Sequence, residues 1–215
     1  MTQLSFDVSK NILSRFKLPY CKTILVTKRK EIEKALPTFR YPMVMKISSS
    51  DIIHKSDQGY VQTGILSSQE ALHHYDTMMR NAKQKKYRVE GILLQEQQDG
   101  IELIVGGKRD PQFGPVIAVG LGGIFVEIIH DVQLGLCPLT PLEAEHLISS
   151  TKAYTLLQGY RGSPKANMKA LISLLITTSR LISHRKDIVE LDFNPVMVNS
   201  KSASIVDARI MVRSR

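Results

Sequence analysis

Several features that often identify the class of a protein are scarce or missing in this chain of 215 residues. It contains no tryptophan and only two cysteines, Cys21 and Cys137, which lie far apart in the sequence. Two distant cysteines provide neither a disulfide framework nor the ligand spacing of a metal site. This usage is typical of a protein from a reducing compartment.

Long hydrophobic stretches are also missing. The most apolar segment, residues 115–129, is interrupted by three glycines and by Glu127, so no run reaches membrane-spanning length. The N-terminus has no basic region followed by an apolar block, and a secretory signal is therefore not expected. We expect a cytoplasmic protein without a membrane partner.

Positive charge is abundant. The formal net charge is +9, and basic residues cluster at 28–30 and 83–88. Such an excess attracts polyanions, so a basic protein that binds nucleic acid is one alternative. Against this alternative, Tyr87 is the only aromatic residue in the clusters, and no nucleic-acid-binding motif is present. A nucleotide, coenzyme A or an acidic partner subunit would account for the charge equally well.

Helical and strand-like segments alternate along the chain without a repeat or a linker. Apolar periodicity and capping signals predict helices at 7–17, around Ile32 to Leu36, from Ser67 towards Lys86, from Thr140, and through Leu171, Leu174, Leu175, Thr178, Leu181 and Ile182. Alternating and branched residues predict strands at 23–26, 42–47, 60–66, 89–95, 101–105, 115–119, 188–191, 195–199 and 204–212, with a turn at 109–114. Mixed helices and largely antiparallel strands favour an α+β arrangement in two lobes with a cleft between them.

One segment, residues 43–57, combines the groups that bind phosphate. An apolar strand carries Lys46 and continues into the hydroxyl groups of Ser48 to Ser50. A lysine and hydroxyl donors suit oxyanions, and His54 can accept a phosphoryl group. The alternative is an ordinary surface strand followed by a polar loop.

A second group of polar residues lies near the C-terminus. Glu190, Asp192 and Asn194 share one face if they form a strand, because side chains alternate with a period of two. If the neighbouring strand brings Asp207 beside Asn194, the two oxygen donors suit a magnesium ion that also contacts phosphate. Arg209 then lies on the face of Asp207 and could stabilise a transferring phosphoryl group. The alternative is a solvated polar face.

A glycine-rich stretch, Gly120 to Glu127, follows a predicted buried strand. Its glycines would let backbone amides approach a ligand closely. The spacing matches neither the dinucleotide fingerprint nor a Walker motif, so the stretch also fits a simple turn.

Taken in order, these segments resemble a known family. The sequences are PMVMKI from Pro42, DIIHKSD from Asp51, GLGGIFVE from Gly120, ELDFNP from Glu190 and DARI from Asp207. They are similar to the ATP-grasp β subunit of ADP-forming acetyl-CoA synthetases, and the likeness covers nearly the whole chain. The resemblance implies the ATP-grasp fold, in the α+β or α/β class, with mainly antiparallel sheets and the nucleotide in the cleft. It also implies a single domain, with lobe 1 at about 20–88 carrying the helix 7–17 and lobe 2 at about 89–215.

The resemblance further implies which residues form the site. Lys46 would bind nucleotide phosphates and act in catalysis, and His54 would take a phosphoryl group transiently. Arg209 would stabilise the transferred phosphate. The nucleotide would also contact Ile53, Lys55, Gln95, Glu96, Gln97 and Glu102, with the segment 95–97 reading adenine mainly through backbone groups. Asn194 and Asp207 would hold the magnesium ion.

The implied reaction converts acyl-CoA, ADP and phosphate into the free acid, coenzyme A and ATP, and it can run in reverse. A separate α subunit would bind coenzyme A, in an α2β2 assembly. Tyr60 stands where the family has a second glycine. A regulator of a ligase and an independent ATP-grasp carboxylate ligase are further alternatives.

Overall fold

The computed structural model describes residues 1–49, 51–52, 58–123 and 131–214. The chain forms two units, a smaller one of Cys21–Gln97 and a larger one of Met1–Tyr20 with Gln98–Arg215. The described helices are α1 (Phe6–Arg15), α2 (Arg29–Ala35), α3 (Ser68–Gln84), α4 (Pro141–Ser149), α5 (Ala153–Leu157) and α6 (Met168–His184). The described strands are β1 (Thr2–Gln3), β2 (Thr23–Val26), β3 (Met43–Ser48), β4 (Val61–Ile65), β5 (Gly91–Glu96), β6 (Ile101–Asp110), β7 (Gly114–Leu121), β8 (Val132–Leu136), β9 (Ile188–Val198), β10 (Ala203–Ile205) and β11 (Arg209–Val212).

The smaller unit is a four-stranded antiparallel sheet in the order β2-β5-β3-β4, with α2 and α3. Met43, Met45 and Ile47 of β3 are fully buried, because alternate residues of this central strand point into the core. Ala71, Tyr75 and Met78 of α3 pack against the same core. Residues spaced three and four apart place the apolar stripe of the helix against the sheet.

Helix α3 begins at its predicted N-cap. The Ser67 hydroxyl accepts a hydrogen bond from the Glu70 N–H at 3.1 Å. The Glu70 carboxylate accepts from the Leu66 N–H at 2.8 Å, one residue earlier than a standard capping box requires. The predicted cap is therefore confirmed with this small shift.

The larger unit contains a seven-stranded sheet in the order β1-β11-β9-β6-β7-β8, with β10 also paired to β9. Its strand ladders are antiparallel. Leu103 and Val105 of β6 and Phe193 of β9 are at most 1% exposed and pack with the helices of the unit. One face of the sheet is therefore the core face, and alternate residues such as Glu102 and Asp192 point to the opposite face.

The helices α4 and α6 follow their sequence signals. Thr140 and Glu143 form a complete capping box at the start of α4, with Pro141 in the first turn. The six residues predicted to form the apolar face of α6 are all buried: Leu171, Leu174, Leu175, Thr178, Leu181 and Ile182. This packing confirms the predicted amphipathic helix.

The boundary between the units differs from the predicted lobes. Strand β5 was placed in lobe 2, but it pairs with β2 and β3 and so belongs to the smaller unit. The N-terminal helix was placed in lobe 1, but Ile12 and Leu13 of α1 lie in the core of the larger unit. The smaller unit is therefore inserted between Tyr20 and Gln98.

Several strand bounds also differ from the prediction. Segments 188–191 and 195–199 join into the single strand β9, whereas 204–212 is divided into β10 and β11. Strand β6 continues to Asp110, whose carboxylate accepts hydrogen bonds from the Gln112 and Phe113 N–H groups and so turns the chain within three residues. Strand β8 was not predicted. None of the helices in the described part of the chain is long and apolar enough to cross a membrane.

Candidate functional site

Lys46 lies on β3, the strand between β5 and β4 in the smaller unit. Its side chain points away from the core, because Met45 and Ile47 on either side are fully buried while Lys46 is half-buried. The register places Lys46 opposite Val61 of β4 and Leu93 of β5. The predicted cation is thus carried by a central strand, which limits its movement.

The hydroxyl groups that follow Lys46 are already used within the unit. Ser48 donates to the Glu90 carboxylate at 2.9 Å, and the Ser49 hydroxyl accepts from the Asp51 N–H at 3.1 Å. Both serines are less than 9% exposed. In this conformation they stabilise the end of β3, Ser50 lies outside the described residues, and the phosphate-binding role of these hydroxyl groups stays a prediction.

The segment 95–97 is also tied into the smaller unit. Gln95 is 2% exposed, and its amide donates to the Thr23 hydroxyl at 2.9 Å. The N–H groups of Glu96 and Gln97 donate to the carbonyls of Lys22 and Pro42. Because these N–H groups already donate hydrogen bonds within the unit, they are not available to adenine in this conformation. The predicted recognition of adenine would have to use other groups of the segment.

Three predicted nucleotide-binding residues, Ile53, His54 and Lys55, lie outside the described residues. The same holds for Glu127 in the glycine-rich stretch. The phosphoryl-accepting role of His54 therefore remains a prediction from the resemblance.

The predicted metal ligands belong to neighbouring segments of the larger unit. Strand β10 pairs Ile205 with Val196 of β9, and β11 pairs Arg209 with Asp192 of β9. The register is the same on both sides of residues 206–208, which separate β10 from β11. The Val206 N–H also donates to the Pro195 carbonyl at 3.0 Å within that register. If this register continued through residues 206–208, Asp207 would lie opposite Asn194.

Arg209 and Asp192 form the next cross-strand pair on the same face. Burial raises the pKa of the Asp192 carboxyl, the nearby Asp207 charge raises it further, and Arg209 opposes the shift. Leu191 and Phe193 on the other face are buried, as the predicted alternation requires. The face predicted for Glu190, Asp192 and Asn194 is therefore confirmed, although its function is a separate question.

Glu102 lies on β6 opposite Met197 of β9, in the same sheet as the metal pair. Its side chain is exposed on the face away from the core. The Glu102 carbonyl accepts a hydrogen bond from the Gly122 N–H at 2.8 Å. Strand β6 is therefore fixed at Glu102 by β9 on one side and by Gly122 on the other. The geometry leaves the Glu102 carboxylate accessible for a ligand hydroxyl.

Close packing explains why two positions of the glycine-rich stretch are glycine. A side chain at Gly120 would lie 1.9 Å from the Asp131 carbonyl oxygen, and one at Gly122 would lie 2.7 Å from the Leu103 backbone. Both positions need glycine because another strand or turn approaches closely. The glycines alone therefore do not indicate a ligand, which agrees with the alternative reading of a structural turn.

The donor set of the larger unit suits a hard cation that is shared with phosphate. An amide oxygen and a carboxylate are ligands that magnesium accepts, and the ion commonly completes its shell with water and phosphate oxygens. Within the described ranges, no group of three or more His, Cys, Asp or Glu side chains could hold a metal ion alone. Asn194 and Asp207 thus fit a jointly held magnesium ion better than an all-protein metal site.

Sequence reasoning gave Asp192 no role in the site. It noted that Asp192 shares a face with Asn194, but the pairing with Arg209 requires the register between β9 and β11. Asp131 was also missed. Its buried carboxylate accepts from the Lys152 and Ala153 N–H groups and caps α5, a contact between residues more than 20 positions apart. The period-two alternation could have indicated Asp192, whereas no local signal indicates Asp131.

Comparison with known proteins gives a match over nearly the whole chain. The family model described as ATP-grasp domain matches residues 1–212. The acetate–CoA ligase [ADP-forming] I subunit beta of Pyrococcus furiosus is 38% identical over 207 residues, which cover 95% of this chain and 89% of the relative. The 4-hydroxybutyrate–CoA ligase [ADP-forming] of Nitrosopumilus maritimus is 41% identical over 209 residues. That match covers 95% of this chain but 30% of the relative.

A solved structure has the same fold. An acetyl-coenzyme A synthetase 1 from Ca. Korarchaeum cryptofilum, in complex with coenzyme A and Mg-AMPPCP, superimposes with a TM-score of 0.86 at 34% identity. The match covers 98% of this chain and 93% of that one, and in that structure a phosphohistidine segment points towards the nucleotide-binding site. With the family match over residues 1–212 and the fold in agreement, this chain belongs to the ATP-grasp family and is a homologue of the β subunits of ADP-forming acetate–CoA ligases.

Proposed function

We propose that this chain is the nucleotide-binding β subunit of an ADP-forming acyl-CoA synthetase. It would bind Mg-ADP or Mg-ATP and transfer a phosphoryl group between a phosphohistidine and the nucleotide. The observation that carries the proposal is the register of β9 with β10 and β11, which pairs Ile205 with Val196 and Arg209 with Asp192 on either side of Asp207 and Asn194. The near-complete coverage of a relative named as a β subunit supports it.

The described residues have separate roles in this proposal. Lys46 pairs with the phosphates of the nucleotide from the smaller unit, since its ammonium stands on a strand face away from the core. Asn194 and Asp207 hold magnesium, which supplies charge neutralisation at the phosphate oxygens when bound. Arg209 stabilises negative charge on the transferred group, and the charge of Asp192 lies across from it in the neighbouring strand. Glu102 accepts a hydrogen bond from a ribose hydroxyl.

The complete reaction requires a partner in this proposal. In the partner subunit, phosphate attacks the thioester, coenzyme A leaves, and the acyl phosphate gives its phosphoryl group to a histidine. This chain passes the group through His54 to ADP, and the free acid is released. The coenzyme A site belongs to a separate α subunit, in an α2β2 assembly located in the cytoplasm. Relatives of this chain are named for acetate, 4-hydroxybutyrate and ferulate, so in this proposal the partner subunit decides which acid is used.

Calorimetric titration of the chain with ADP tests the metal pair. Asp207→Asn removes a carboxylate but keeps its size, so we expect ADP affinity to fall about tenfold in magnesium and to stay unchanged in EDTA. Asp7→Asn, an exposed carboxylate of the same unit on α1, is the matched control. Equal losses with and without magnesium would show that Asp207 is not a metal ligand.

The partner-dependent step needs a separate measurement. The chain mixed with a coenzyme A-binding α subunit should form ATP from acyl-CoA, ADP and phosphate, and Lys46→Met should abolish this activity. His54→Asn should abolish it too while leaving Mg-ADP binding intact. Full activity of His54→Asn would exclude the relay. Activity of the chain without any added subunit would instead identify an independent carboxylate ligase.

A further inference from the structure

A groove outside the proposed nucleotide site lies at the C-terminal end of α3, within the smaller unit. Its volume is about 490 Å³, and it is lined by Met79, Arg80, Lys83, Tyr87 and Val89. The three uncharged residues, Met79, Tyr87 and Val89, are half-buried, whereas the two cations are exposed. The groove therefore has an apolar floor and a positively charged rim.

The sequence around the groove carries five basic residues without an acidic one. Between Asp76 and Glu90 these are Arg80, Lys83, Lys85, Lys86 and Arg88. Arg88 pairs with Asp51 at 3.3 Å, and the Lys85 ammonium lies 5.7 Å from the Tyr60 ring and 5.9 Å from the Tyr87 ring. Among the described residues, the other three form no salt bridge. Most of this charge is therefore available to a partner.

Helix stability does not account for the whole arrangement. Cations in the last turn interact favourably with the helix dipole, which explains part of the excess. Lys86, however, has a φ of 57°, in the left-handed region where helices usually place glycine. Its N–H donates to the Lys83 carbonyl and the Tyr87 N–H to the Ala82 carbonyl, so the helix ends in a Schellman motif. The chain turns at Lys86 and continues into Tyr87 and Val89, which line the groove.

We propose that this groove binds an acidic segment of a partner protein. An apolar side chain of the segment lies on Met79, Tyr87 and Val89, and flanking carboxylates pair with Arg80 and Lys83. Methionine, tyrosine and arginine are residue types enriched in protein interfaces, and complementary charge favours an acidic partner. A strip that binds single-stranded nucleic acid would offer several aromatic rings for stacking, whereas Tyr87 is the one aromatic residue among the described residues that line this groove.

Fluorescence anisotropy with the full chain tests the proposal. The probe is a labelled twelve-residue peptide of glutamates and aspartates with one central phenylalanine. We expect a Kd on the order of 10–100 μM at low salt, which is typical of a small charged interface. Replacing the phenylalanine by serine should weaken binding about fivefold, because the apolar contact is lost.

Variants locate the binding surface. Lys83→Glu should weaken peptide binding about tenfold or more, and Met79→Ala about threefold, because the first reverses a rim charge and the second shortens the floor. Lys30→Glu, an exposed lysine on α2 of the same unit, is the matched control and should change binding less than twofold. Unfolding midpoints and Mg-ADP titrations of all three variants check that the fold and the nucleotide site are intact.

Three outcomes would overturn the proposal. One is the absence of peptide binding up to 1 mM. Another is an equal loss for Lys30→Glu and Lys83→Glu, which would indicate non-specific charge attraction. The third is tighter binding of a labelled oligo-dT of twelve nucleotides that is equally reduced by Met79→Ala, which would identify a nucleic-acid surface.

Discussion

Two lysines of this chain adopt a backbone conformation that usually requires glycine. Lys17 has a φ of 56° after α1, and Lys86 has a φ of 57° after α3. In both cases the next residue, Leu18 or Tyr87, donates its N–H to a carbonyl five residues earlier, in Leu13 or Ala82. Each helix therefore ends in the same motif with a charged residue at its left-handed position.

Replacing Lys86 with glycine should stabilise the smaller unit. A left-handed non-glycine residue costs about 1 kcal/mol, so Lys86→Gly should raise the free energy of unfolding by about 0.5–1 kcal/mol. Lys85→Gly is the control, because Lys85 has a φ of −82° and is not strained. Glycine at this position only increases the entropy of the unfolded chain, so it should lower the free energy of unfolding. Urea titration monitored by circular dichroism measures both variants. If Lys86→Gly lowers the midpoint as Lys85→Gly does, the strain argument is wrong.

The thiol of Cys137 should be chemically inert. Burial raises its pKa to about 12, and Arg109 only partly opposes the shift. At pH 8 the reactive thiolate is then about a thousandfold rarer than for a free cysteine. Iodoacetamide should label native Cys137 slowly and the urea-unfolded chain quickly, as mass spectrometry of the tryptic peptide can follow. Rapid labelling of the native protein would contradict the raised pKa of this half-buried thiol.

At the scale of secondary-structure elements, helix ends respond to pH through their capping residues. The Thr140 N–H and hydroxyl both donate to the Glu143 carboxylate, and these hydrogen bonds lower the pKa of Glu143. A carboxyl with a lowered folded-state pKa stabilises the fold above its unfolded pKa of about 4.5. This contribution is lost as the pH falls through the pKa that Glu143 has in the folded state.

Glu143→Gln should therefore reduce stability at pH 7 and have little effect at pH 3. The matched control is Glu145→Gln, which changes an exposed carboxylate of the same helix outside the capping box. Urea midpoints at both pH values measure the difference. A loss of the same size at pH 3 would show that the ionised carboxylate is not what stabilises the start of α4.

The accuracy of sequence-based prediction varied with how local the signal is. The apolar period of α6 and the Thr140 capping box lie within one segment, and the structure confirms both. Strand β8 was missed because its outward residues Leu134 and Leu136 are exposed, which reverses the usual pattern. The engagement of Ser48 by Glu90 joins residues 42 positions apart, and such pairing cannot be inferred from local spacing.

At the scale of the whole molecule, the two units have separate cores. The core of the smaller unit extends from Val26 to Leu94, and the core of the larger unit shares no residue with it. Both ends of the smaller unit join the larger one, at Tyr20 and at Gln98. Each core can thus be stabilised by its own sheet and helices.

The smaller unit should fold by itself. A fragment of residues 21–97 keeps all four strands of its sheet, so we expect a cooperative thermal transition by circular dichroism. Leu94→Ala should lower the fragment's stability by about 2–5 kcal/mol, because Leu94 is fully buried. A broad transition without fixed tertiary structure would show that this unit depends on the rest of the chain.

The interruption between β10 and β11 makes the length of this connection critical. Val206, Asp207 and Ala208 bridge two ladders that share one register with β9. Deleting or inserting a single residue there would shift every later side chain of β11 to the other face and bring Ile210 out of the core. Substitutions at Val206 and Ala208 keep this register, but a change in the number of residues would break the pairing of β11 with β9.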